Sequence, residues 1–301
     1  MLINFGTVLL SAAIALGEQS VCSSGVCLPG DYNKMDLPGE KPIYIDTQLI
    51  LMEIYEVNEN DHTIHINAIM IFAWQDNRLN FTSAMDTSVD VDKQFIDNIW
   101  TPDLYIYHMK EIQGFNGITT MRGLSVQKNN DSVKLFYSLE ANVKFICAMS
   151  FHAFPFESNV CKFRLTSYSF TSDQMVFKAV INHIQGPTRL VKENVKDYAV
   201  EVEYLKGNDT FQTDEFIDGV SIYSVVGLKI TLRNLYMKYI VVYYLPTSMF
   251  TVTSWISFVL PPTSYPSRTS LLVTVSLCQI GLFNAVMRDT PHQDGGKPFL
   301  G

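Results

Sequence analysis

Between residues 43 and 232 apolar and polar positions alternate in short runs, as in Ile64-His65-Ile66-Asn67-Ala68. A period of two marks a strand with one buried face. It predicts strands over 43–55, 63–74, 135–147, 161–169, 175–181, 195–205 and 221–232. Turn-forming residues separate them at 58–61, 113–117, 129–131 and 207–209. Many short strands without an amphipathic helix predict a mainly β fold, an immunoglobulin-like β-sandwich of about ten strands.

After Arg233 the pattern changes. Residues 239–260 are 22 positions without a charge and 269–287 a further 19, with Pro261, Pro262 and Pro266 between them. About 20 apolar residues cross a bilayer as a helix. The chain is therefore expected to divide into a β domain over 18–235 and a membrane region over 236–301, with helices near 238–260 and 268–287. With the N-terminus outside, the turn carrying Arg268 is cytoplasmic. Pro246 breaks a helical hydrogen bond in the first span, which neighbouring helices or water relieve. In the second, Ser270, Thr274, Leu277, Gly281, Asn284 and Arg288 recur at spacings of four and three and so share one face. Such a face serves either close helix packing or a water-filled path.

Residues 1–17 are apolar and uncharged, with small residues Ala15 and Gly17 at the end, and are expected to be a cleaved signal peptide. Sequons at Asn80, Asn130 and Asn208 agree with a secretory route. A net charge of −8 without long basic runs argues against nucleic acid as a partner. The five cysteines fit an oxidising exterior: Cys147 with Cys161 and Cys22 with Cys27 are candidate pairs, and Cys278 falls in the second span. No histidine stands at ligand spacing from them, so no metal and no cofactor is expected. His62, His65, His108 and His152 read as ordinary surface or strand residues. The chain lacks G-x-S-x-G, H-E-x-x-H and a phosphate-binding loop, which argues against an enzyme.

Residues 147–161, CAMSFHAFPFESNVC, hold two cysteines enclosing thirteen residues. Closing such a loop contributes about 3 kcal/mol by restricting the unfolded chain. Its interior is apolar, with Met149, Phe151, Phe154 and Phe156. That composition suits either a loop folded on its own core or a docking surface.

A secreted β-sandwich with this cysteine spacing, Phe154-Pro155-Phe156 inside it and membrane helices directly after it resembles the Cys-loop pentameric ligand-gated ion channels. Trp74-Gln75-Asp76 looks like the family's W-x-D, Trp100-Thr101-Pro102-Asp103 like its W-x-P-D, and Pro246 like the proline of its first helix. The likeness runs over residues 43–291 and is nearest to glycine and GABA receptors of an invertebrate type. It implies a subunit of a homo- or hetero-pentamer in the plasma membrane, including postsynaptic membrane, with an extracellular N-terminal domain, lipid around its helices and a small-molecule ligand at subunit interfaces. By resemblance, Phe154, Pro155, Phe156 and Glu157 press on the membrane domain, with Glu157 expected to pair with Arg233. Tyr107, Tyr168, Phe216 and Tyr223 are the candidate ligand-binding aromatics, suited to a cationic amine. Thr166 stands where amino-acid-gated relatives often carry glutamate, and Ile69 where the complementary face has an aromatic. Arg268, Ser270, Thr274, Leu277, Gly281, Asn284 and Arg288 are expected to line the pore, with Leu277 as a hydrophobic gate.

Pro266-Ser267-Arg268 resembles the P-A-R of glycine and GABA receptors, and with Arg288 at the other mouth it favours anions. The family has four membrane helices, and the third and fourth are expected to be absent here. The alternative is a membrane-anchored subunit that binds ligand, or suppresses other subunits, without conducting.

Overall fold

The computed structural model describes residues 22–23, 25–81, 88–114, 122–129, 132–180, 194–195, 197–216, 219–261 and 263–290. Residues 1–17, Asn130 and Pro262 lie outside them, as does the side chain of Phe216.

Two sheets enclose the core. The first contains β3 (Ile43–Asn58), β4 (Thr63–Gln75), β6 (Ser88–Val91), β8 (Met109–Gly114), β9 (Arg122–Asn129), β10 (Ser132–Ile146) and β12 (Met175–Ala179). Its order is β12-β3-β4-β10-β9-β6, with β8 also on β10. The second contains β7 (Leu104–Ile106), β11 (Ser158–Ser167), β13 (Asn194–Val195), β14 (Tyr198–Tyr204), β15 (Phe211–Phe216) and β16 (Gly219–Asn234). Its order is β13-β14-β16-β11-β7, with β15 on β16. A small sheet joins β1 (Cys22–Ser23), β2 (Val26–Cys27) and β5 (Asn80–Phe81). A short helix α1 (Lys93–Ile96) precedes β7.

The alternation seen in the sequence is the alternation of the core. On β4, Ile64, Ile66, Ala68, Met70, Phe72 and Trp74 all point inward and are sealed from solvent. Facing them from the other sheet are Phe163, Leu165, Leu228, Ile230 and Leu232, equally buried. Each of the larger aliphatic and phenylalanine side chains contributes about 1.5–3 kcal/mol by leaving water. The strands that the pattern did not predict, among them β7, β8, β9 and β15, are short or polar. They are held by their ladders, with only a few apolar side chains such as Ile106, Leu124 and Val126 reaching the core.

Both disulfides form, Cys22–Cys27 and Cys147–Cys161. Cys147 directly follows β10 and Cys161 lies on β11, so the second bridge ties the first sheet to the second. On the far side of the core, buried Asp76 accepts from the Tyr32 hydroxyl at 3.0 Å and from Arg78 Nε and Nη2 at 2.8 Å each. Trp74, two residues earlier, packs edge-on against Trp100 with ring centroids 5.7 Å apart.

At Asn234 the last strand gives way to helix. α2 (Met237–Tyr239) continues through a π turn, Ile240–Tyr244, into α3 (Leu245–Val259). Pro246 has no N–H and its ring crowds the preceding turn, so the widened turn ahead of it is where the strain is taken up. α4 (Tyr265–Asp289) starts earlier than the charge pattern implied, because Pro266 sits in its first turn, where no backbone donor is needed. Arg268 is thus the fourth residue of the helix and not part of the turn. Residues Tyr265–Arg288 are long and apolar enough to cross a membrane.

Candidate functional site

Three tyrosines gather at the edge of the second sheet. Tyr105 lies on β7 and Tyr107 follows it directly, so a period of two puts their rings on one side. The rings meet edge-on at 5.4 Å, and Tyr105 meets Tyr168 at 5.9 Å. Tyr168 is 75% exposed and Tyr105 40%, unusual for aromatics this close together.

The loop carrying Tyr168 is held on both sides by one carboxylate. Asp103 accepts from the Ser167 hydroxyl at 2.6 Å and from the Ser169 backbone N–H at 2.7 Å. Ser167 Oγ in turn accepts from Phe170 N at 2.8 Å, and Ser172 N donates to the Ile222 carbonyl on β16 at 2.8 Å. The W-x-P-D run therefore has a positioning role: its aspartate presents Tyr168.

Arg164 completes the group. Its backbone carbonyl accepts from Tyr107 N at 3.0 Å, and its guanidinium lies 4.8 Å from the Tyr107 ring centroid. Nη1 donates to Gln212 Oε1 at 3.2 Å, while Nε is shielded from solvent without an acceptor. Among the described residues no carboxylate pairs with this cation. Opposite it on β16 is Gly227, where an added Cβ would lie 2.0 Å from the Phe163 carbonyl oxygen. Only glycine permits that approach.

Of the other aromatics expected here, Tyr223 is half-buried on β16 and makes no ring contact with the three tyrosines among the described residues. Phe216 closes β15, its side chain outside the described residues. Thr166 is buried, its hydroxyl donating to the Ser224 carbonyl at 2.8 Å, and it lies directly opposite Tyr105 in the β7–β11 ladder. Ile69 lies on β4 paired with Ile50 and Glu140, in the other sheet. Sequence reasoning missed Tyr105 and Arg164. The strand period was available for Tyr105, but the short β7 had not been recognised.

At the other end of the sandwich the Cys147–Cys161 loop meets the helices. Phe154 packs edge-on against Tyr239 at 4.7 Å, and Phe156, 62% exposed, lies 5.2 Å from Tyr236. Pro155 between them is buried, as are Met149 and Phe151. The loop thus does both things its composition allowed: two apolar residues enter its own core and two aromatics reach the first helix. His62 and His108, each in the left-handed region (φ 49° and 56°), offer their carbonyls to Cys147 N and Ile146 N at 2.8 and 3.0 Å.

Glu157 does not pair with Arg233. Arg233 points outward to Glu201 Oε2 at 2.9 Å, whereas Glu157 is buried and accepts from Asn234 Nδ2. The alternation of β16 explains the correction, since Arg233 and Asn234 face opposite sides of the strand. Tyr198, beside Asn234 on β14, donates to Glu59 Oε1 at 3.2 Å, and burial pushes its hydroxyl pKa well up.

On α4, the buried and half-buried positions Arg268, Leu271, Val275, Gln279, Leu282 and Val286 share one face, and Ala285 and Met287 are half-buried beside it. Ser270, Thr274, Leu277, Gly281, Asn284 and Arg288 are all exposed and lie roughly 140° around the helix from that face. Cys278 is an exposed free thiol next to Leu277. Asn80 and Asn208 are exposed, Asn208 on a single 3-10 turn.

A family model described as the neurotransmitter-gated ion-channel ligand binding domain matches residues 27–233. The chain is 24% identical over 270 residues to the gamma-aminobutyric acid receptor subunit rho-1 of Mus musculus, covering 83% of this chain and 50% of that one. It is 24% identical over 251 residues to the rho-2 subunit of Homo sapiens (83% and 52%) and 24% over 261 residues to human rho-3 (84% and 52%). The chain spans about half the length of these relatives. From the sandwich, its stapled loop and this match, the chain belongs to the neurotransmitter-gated ion-channel family, whose members are not enzymes.

Proposed function

We propose that the chain is a subunit of an extracellular ligand-gated ion channel of the plasma membrane, and that the tyrosine edge is one half of a ligand site completed by a neighbouring subunit. The supporting observation is the cluster itself: exposed Tyr105 and Tyr168 held beside a half-buried Arg164 that pairs with no carboxylate among the described residues. Because Arg164 already occupies a face of Tyr107, that ring is a poor receptor for a second cation. A ligand amine finds its cation–π surface on Tyr105 and Tyr168, while Arg164 offers N–H groups to a carboxylate. The ligand is therefore an amino acid with its acid toward Arg164, a class that includes the γ-aminobutyric acid named in the relatives. In this reading the exposed stripe of α4 lines the pore, α2–α3 and α4 cross the membrane, and Arg268 and Arg288 bias the path toward anions.

The test is voltage clamp and ligand binding on cells expressing the chain alone and with a rho subunit. γ-Aminobutyric acid, β-alanine and choline are applied separately. Expected is an amino-acid response weakened at least about tenfold by Tyr168→Ala and by Arg164→Gln, the loss of one charged hydrogen bond. Binding without current in either setting supports the non-conducting alternative. A response to choline that Arg164→Gln leaves unchanged overturns the ligand assignment.

A further inference from the structure

The buried pair at the base of the sandwich has two polar atoms left over. Glu157 is 6% exposed and Asn234 7%. Asn234 Nδ2 donates to Glu157 Oε1, and Asn234 N donates to the Glu157 carbonyl at 3.2 Å. The remaining atoms, Glu157 Oε2 and Asn234 Oδ1, are buried and have no hydrogen-bond partner among the described residues. Both are acceptors while the carboxyl is ionised, so neither can satisfy the other. One proton on Oε2 removes both deficits at once: the new O–H donates to Asn234 Oδ1 while Nδ2–H donates to Oε1, a reciprocal acid–amide pair.

We propose that Glu157 and Asn234 form a proton-binding site that fastens the Cys147–Cys161 loop to the end of β16, where the chain enters its first helix. The surrounding charges favour this. From the β3–β4 turn comes Glu59, a second carboxylate, which accepts from Tyr198 of β14. Asp197, just before β14, is paired with Lys238 at 2.8 Å, and Arg233 is turned away to Glu201 on the same strand as Tyr198. From α2 comes the ring of Tyr239, packed on Phe154. No cation among the described residues bonds to Glu157. Burial pushes its carboxyl above the ordinary range; the Asn234 bond pulls the other way, and Glu59 adds to the rise.

The sign follows. A carboxyl whose folded pKa lies above its unfolded value stabilises the fold fully below that unfolded value, about 4.3. The contribution is lost as the pH rises through the folded pKa. Mild acid therefore tightens the junction, whatever ligand the tyrosine edge takes.

The experiment is an infrared pH titration of the full chain in lipid nanodiscs, reading the C=O stretch of protonated carboxylic acid, with Glu157→Gln to assign the band. Expected is an acid band that persists above about pH 5, where ordinary glutamates are ionised, and that is missing in Glu157→Gln. The glutamine carries its own donor, so the melting temperature of this variant is expected to fall less with rising pH than that of the native chain. Asn234→Asp assigns the band independently: two carboxyls sharing one proton move the midpoint up by roughly one pH unit or more. The inference is overturned if the native chain shows no Glu157 acid band above about pH 5. It is equally overturned if native chain and Glu157→Gln melt with the same pH dependence.

Discussion

Single residues carry more of this molecule than their positions suggest. Asp76 is fully buried and its charge is met by Arg78 and the Tyr32 hydroxyl. Arg78→Met leaves that carboxylate buried and unpaired, and the expected loss is about 3–5 kcal/mol, measured by denaturant unfolding. Asp76→Asn in the same background is expected to recover part of it. Burial also pushes the Tyr32 hydroxyl up to about 12. An unfolded tyrosine titrates near 10, so this group's contribution is complete below about pH 10 and is lost as the pH rises toward 12. Melting curves at alkaline pH should fall more steeply for the native chain than for Tyr32→Phe. The family resemblance pointed to Tyr107, seven residues past Trp100, and to Tyr168 on the next such loop. The cation over Tyr107 was not legible, because Arg164 lies 57 positions further along the chain and meets the ring only across the β7–β11 ladder.

Among the elements, the loop between Cys147 and Cys161 is the one whose sequence was most informative. Its disulfide closes a separation of 14 residues and ties the two sheets together. Replacing both cysteines by serine is expected to cost about 3 kcal/mol. It should also expose residues 148–160 to proteolysis, scored by peptide mapping. Its aromatics were legible as a docking surface, and the rings of Tyr236 and Tyr239 are the dock. The partner of Glu157 was misread for a reason of strand geometry: Arg233 and Asn234 are neighbours in sequence but lie on opposite faces, and the inward one is the amide. Helix ends were blurred for a different reason. Hydropathy locates a span but not its first turn, and Pro266 begins α4 ahead of the uncharged run.

At the scale of the whole molecule, the two helices leave one face of α4 open. In a Cys278→Ser background, Ser270→Cys and Asn284→Cys are expected to react with a water-soluble thiol reagent at least about tenfold faster than Val275→Cys. The pore reading puts the first two in water and the third in a helix interface. Equal rates in native membranes would count against it. Anion selectivity is read from the reversal potential, which should follow chloride; insensitivity to chloride would remove that part of the proposal.

By itself the sequence determined the class of architecture, because a period of two over residues 43–232 and an uncharged pattern after Arg233 reflect what water and apolar surroundings demand of each residue locally. It also determined the stapled loop, since cysteine spacing is a property of the chain. The tertiary structure alone decided which residues share a site. Tyr105 with Tyr168, Arg164 over Tyr107, Asp103 clasping the Ser167–Ser169 loop and Glu157 on Asn234 are all contacts between strands or loops distant in sequence. Register and face choose such partners, and both are set by how the two sheets pack.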